Sequence, residues 1–61
     1  MNKDNNINIK LLDAIENNNL NDVISLVENG ADIHYDDDKA LRKASLNDYY
    51  EIVKFLVENF L

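Results

Sequence analysis

Two stretches decide the fold: Asp22-Val23-Ile24-Ser25-Leu26-Val27-Glu28-Asn29-Gly30-Ala31-Asp32-Ile33-His34 and Glu51-Ile52-Val53-Lys54-Phe55-Leu56-Val57-Glu58-Asn59. Slid by 30 residues, they share the block Leu-Val-Glu-Asn and align Val23 with Val53. The same shift lays Leu11-Leu12-Asp13-Ala14 on Leu41-Arg42-Lys43-Ala44, and Asn17 on Asn47. Chance could supply the block alone. It is far less able to supply a Leu-x-x-Ala pair at the same offset, so the chain reads as a tandem repeat.

Each unit reads as two short helices. Ile7, Leu11, Ala14 and Ile15 recur at spacings of three and four, which places them on one helix face. Asn8 is the expected N-cap of that helix, since its side-chain oxygen can accept from the free N–H groups of the first turn. The run Asn17-Asn18-Asn19 favours a turn. A second helix is expected from Leu20 to Asn29, with Leu20, Val23, Leu26 and Val27 as its stripe and Asn29-Gly30 as a left-handed C-cap. After a connector, Asp37 or Asp38 caps a third helix carrying Leu41 and Ala44, where negative charge suits the helix dipole. Asn47-Asp48 makes the next turn. The last helix is expected from Tyr49 to Phe60, with Tyr50, Val53, Leu56, Val57 and Phe60 inward. Ile52 and Phe55 are expected against the neighbouring layer or partly exposed. No segment alternates with period two. The expected fold class is therefore all-α: two stacked helix-turn-helix units, about four short helices, no substantial sheet.

Composition narrows the function classes. With 61 residues the chain holds one domain and a marginal core. It has no Cys and one His, so neither a disulfide framework nor a thiolate or His-rich metal site is expected. Its 12 acidic and 6 basic residues give a net charge of −6, which disfavours nucleic acid and anionic membrane surfaces. No apolar run approaches the roughly 20 residues of a membrane span, and Met1–Asn6 has no apolar core of a signal peptide. A soluble intracellular protein is the expectation. Asn occurs 11 times, Pro never and Gly once, which AT-rich coding explains without a function for each Asn.

No catalytic constellation emerges. His34 has no second His and no nucleophile beside it in the sequence. Ser25 and Ser45 lack a triad context, and Asp13 with Glu16 is one carboxylate pair among many in an acidic chain. Asp36-Asp37-Asp38 lacks the alternating ligands and the glycine of a calcium loop and reads as a solvated loop and helix cap. No enzyme, no cofactor and no metal are expected.

The pattern resembles the ankyrin repeat. Leu41 and Ala44 keep the Leu and Ala of the family's Thr-Pro-Leu-His-x-Ala motif, while its Thr, Pro and His are replaced. Glu28-Asn29-Gly30-Ala31-Asp32-Ile33 matches the exit of the family's second helix and is the most specific feature. The wording is most similar to the short-loop ankyrin repeats of amoeba-infecting giant viruses, and the period of 30 suits them better than the usual period of about 33. The resemblance covers Ile9 to Asn59. It implies an extension over 1–8, a first repeat over 9–38 and a shortened second repeat over 39–61, with Phe60-Leu61 where Gly-Ala would open another connector. It also implies a helical solenoid that binds a protein partner, in the host cytoplasm if the source is viral. By carry-over the contact positions at the loop tip and first-helix face are Tyr35, Asp36, Asp37, Arg42, Lys43, Leu46 and Asn47. The alternative is a truncated fragment of a longer repeat protein with no independent function.

Two units share one interface, and repeat stacks need neighbours to cover their apolar faces. Both outer faces are expected to expose Leu, Val and Ile without a polar cap, with Phe55, Phe60 and Leu61 forming a sticky end. Self-association through those ends is a corollary.

Overall fold

The computed structural model describes residues 6–59. They form α1 (Ile7–Glu16), α2 (Leu20–Glu28), α3 (Tyr35–Leu46) and α4 (Tyr50–Glu58), with no strand among the described residues. α1 packs on α2 and on α3, while α4 packs on α3 and on α2. The fold is thus two helical hairpins stacked with like helices side by side.

The turns follow from asparagine. Asn17, Asn29, Asn47 and Asn59 each cap a helix C-terminus, and each side-chain amide donates to the carbonyl four residues back, at 3.0, 2.7, 2.8 and 2.8 Å. The next residue is left-handed at three of these ends: Asn18 (φ 52°), Gly30 (φ 106°) and Asp48 (φ 60°). The two following N–H groups then turn back to the helix. Asn18 and Asn19 donate to Ile15 and Ala14, Gly30 and Ala31 to Val27 and Leu26, Asp48 and Tyr49 to Ser45 and Ala44. This is the Schellman closure, which satisfies the orphan carbonyls of a helix end. Asn and Asp tolerate left-handed backbone better than other side chains, so Asp48 fills the role that glycine fills at residue 30.

The helix starts depart from expectation in two places. Asn6, not Asn8, caps α1: its Oδ1 accepts from Asn8 N–H at 2.9 Å and Ile9 N–H at 3.4 Å. Capping there brings Ile7 into the helix and frees the Asn8 side chain, whose Oδ1 accepts the Asp32 N–H at 2.7 Å. In α3 neither Asp37 nor Asp38 caps in the ordinary way. His34 holds the N-cap position without a side-chain cap bond, and Asp36, Asp37 and Asp38 form a left-handed turn (φ 58°, 60° and 62°) before right-handed helix resumes. Each such residue costs an L-amino acid about 1–2 kcal/mol, less for Asp. The turn is held at both ends: Asp38 Oδ1 lies 2.6 Å from His34 Nδ1, and Arg42 donates to the Asp37 and Asp36 carbonyls.

The core joins all four helices: Leu11, Ala14, Ile15, Val23, Ala40, Ala44, Ile52 and Leu56 are buried, with Ala31 of the connector. Ala14, Ala40 and Ala44 carry little side chain, which lets α1 and α3 approach closely. α4 corrects the expected stripe. Ile52 is fully buried and Tyr49 packs against the core, whereas Tyr50 is 74% and Val57 53% exposed. Phe55 is half-buried, Val53 likewise, and Phe60 and Leu61 lie outside the described residues. The reason is stacking: α4 turns Ile52 and Leu56 toward the first unit, and the Tyr50–Val57 stripe faces away.

Candidate partner-binding surface

The repeat offset shows which face of each unit is covered. Lys10, Asp13, Asn17, Asp22 and Ser25 line an open groove beside α1 and α2. Thirty residues on stand Ala40, Lys43, Asn47, Ile52 and Phe55, of which Ala40 and Ile52 are buried. The side that unit two packs against unit one is therefore apolar, and the same side of unit one is polar and open. Conversely, Leu11 and Ile15 are fully buried under unit two, while their counterparts Leu41 and Ser45 are half-buried and exposed. Leu41, Arg42, Ser45 and Leu46 line an open groove of about 670 Å³. The expectation that both outer faces expose apolar residues without a polar cap is corrected for unit one, whose groove adds Lys10, Asp13, Asn17 and Asp22 to Ala14 and Leu26, while the more apolar groove belongs to unit two.

The expected contact residues divide along this geometry. Leu46 is 85% exposed at the end of α3. Arg42 is exposed and donates through Nε to the Asp37 carbonyl at 3.1 Å and through Nη2 to the Asp36 carbonyl at 3.0 Å. It thereby ties the loop tip to the first-helix face and leaves the Asp36 and Asp37 carboxylates in solvent, Asp36 with Lys39 at 3.7 Å. Tyr35 is half-buried, its N–H donating to the Asp32 carbonyl at 3.1 Å. Lys43 is drawn inward to an ion pair with Glu16 of the first unit. That ammonium, chiefly through its hydrogen bond and then through its charge, holds the Glu16 carboxyl below its ordinary value. Asn47 is exposed but its amide is committed to the Lys43 carbonyl. Lys43 and Asn47 are thus structural fasteners as well as surface residues.

Sequence reasoning missed Leu41, Tyr50 and Val57 as exposed or half-exposed apolar positions. For Leu41 the signal was present in the offset, since Leu41 answers Leu11, which unit two covers. Among the described residues no group of three or more His, Asp or Glu side chains is placed to hold a metal ion, and no helix is long and apolar enough to cross a membrane. No family model matches the chain, and no curated protein or solved structure matches it.

Proposed function

We propose that the chain is a non-catalytic, ankyrin-type protein-binding module whose docking face is the open side of unit two. The observation that carries this reading is the contrast between the two outer faces. Lys10, Asp13 and Asp22 make one face self-sufficient in water, while Leu41 and Leu46 leave the other apolar. The packing of unit two on unit one supports a reading of what fits such a face: a helical hairpin presenting small and aliphatic residues like Ala40, Ala44 and Ile52. The partner is accordingly a helical segment of another protein with a small-aliphatic stripe. At the position of Lys43 it carries an apolar residue, because Leu46 stands where Glu16 receives that lysine. Asp36 and Asp37 at the loop tip add negative charge at the rim, suited to a basic residue on the partner. The resemblance to ankyrin repeats supports this reading, as does the viral-type wording for a partner of host origin.

The test compares proteins retained from cell extract by the wild-type chain, by Leu46→Asp and by Asp22→Lys. A partner lost with Leu46→Asp and kept with Asp22→Lys supports the reading. Retention that ignores Leu46, or that fails with Asp22→Lys alone, overturns it.

A further inference from the structure

We propose that Asn29–Gly30 is a covalent modification site at which opening of the α2 cap permits deamidation. Asn29 is the only one of the 11 asparagines followed by glycine. With no Cβ on the successor, its backbone nitrogen can reach the asparagine side chain unobstructed. The reaction needs only water. The Gly30 nitrogen loses its proton and attacks Asn29 Cγ, an N–C bond forms, the carboxamide C–N bond breaks and ammonia leaves. Water then opens the resulting succinimide at either carbonyl, giving aspartate or isoaspartate.

The folded cap holds each participant back. The leaving amide nitrogen of Asn29 donates to the Ser25 carbonyl at 2.7 Å, and the attacking Gly30 N–H donates to the Val27 carbonyl at 3.0 Å. Asn29 has ψ of 11°, which turns the Gly30 nitrogen away from Cβ and so from Cγ. Closing the ring requires rotation about that bond. The rotation breaks the Gly30 bond to Val27 and the Ala31 bond to Leu26, that is, the whole Schellman closure of α2. Chemistry at Asn29 is therefore gated by local opening, and helix ends are where opening is easiest.

The product prevents reclosure. A carboxylate in place of the amide loses the donor to the Ser25 carbonyl and puts negative charge beside Glu28 at the negative end of the helix. Isoaspartate also adds a backbone carbon to the connector that seats Ala31 in the core. The site thus records how long the stack has been open and then holds it open. Asn17–Asn18 and Asn47–Asp48 have the same cap geometry with a side chain on the successor, so they serve as internal controls.

The experiment incubates the full chain at mildly alkaline pH over a urea series below its unfolding midpoint and maps peptides by mass. Conversion first at Asn29, accelerating with urea, is expected. In Gly30→Asp a Cβ at residue 30 meets nothing within 4 Å, but φ there is 106° against 60° at Asp48, so the cap must relax toward the Asn47–Asp48 geometry at some cost in stability; its Asn29 rate is expected to fall to that of Asn47. Conversion at Asn17 or Asn47 as fast as at Asn29, or a rate at Asn29 indifferent to urea, overturns the proposal. Either result is read within the wild-type chain, whatever the variant does.

Discussion

The side-chain oxygen of Asn8 accepts the backbone N–H of Asp32 at 2.7 Å, fastening the first turn of α1 to the connector beyond α2. This bond spans 24 residues and closes unit one on itself. Asn8→Ala leaves the Asp32 N–H to water and removes a net contribution of about 1 kcal/mol. For a domain of this size that lowers Tm by about 4–8 °C. A thermal melt followed by circular dichroism measures it. An unchanged Tm would show that the bond carries no stability.

Glu16 and Lys43 join the two units by an ion pair. The folded state depresses the Glu16 pKa from its ordinary value of 4.5. A depressed carboxylate contributes stability that is present above the unfolded value and lost as pH falls through the folded one. Stability should therefore decline as pH drops below about 4.5, and Glu16→Gln should flatten that part of the profile. Glu16 is exposed and Lys43 only half-buried, so the effect is small and weakens with salt. Urea midpoints measured across pH for both chains decide the matter. Parallel profiles would contradict the assignment.

Ile52 and Asp22 occupy the same place in their units but opposite environments. Ile52→Asp buries an unpaired charge and should abolish the cooperative melt. Asp22→Ile removes a partner of the Asn19 amide at the start of α2 and should cost under about 1 kcal/mol. Circular dichroism reads both. Equal damage from the two changes would mean that the units are not stacked in this order.

Asp37 sits at φ 60° with its carbonyl accepting from Arg42. Gly removes the side-chain cost of that backbone, so Asp37→Gly should stabilise the chain by up to about 1 kcal/mol. A lower urea midpoint would show that the left-handed turn is absent in solution.

The two-hairpin plan was legible because apolar spacing and the 30-residue offset are properties of one strand of text. Leu11, Ala14 and Ile15 are buried as their spacing implied, and Gly30 has the positive φ its place required. The inward face of α4 was not legible from equivalence alone. The offset treats Tyr50 as Leu20 and Ile52 as Asp22, yet stacking makes equivalent positions unlike, since the two units meet through opposite faces. The aspartate run concealed its left-handed turn because charge and conformation are independent properties. Asn29-Gly30 was legible as a C-cap and Asn17 and Asn47 as turn residues, but asparagine abundance, read as coding bias, concealed the side-chain amide bond that Asn17, Asn29, Asn47 and Asn59 each make to the carbonyl four residues back.

The most direct test of the account is a thermal melt of the chain by far-UV circular dichroism, with mass followed by light scattering across a concentration series. Two stacked units with one apolar face predict a helical signal lost in a single cooperative transition, with any rise in mass at high concentration suppressed by Leu46→Asp. A weak signal that fades without a transition at every concentration would contradict the stack, and with it the docking face built on unit two.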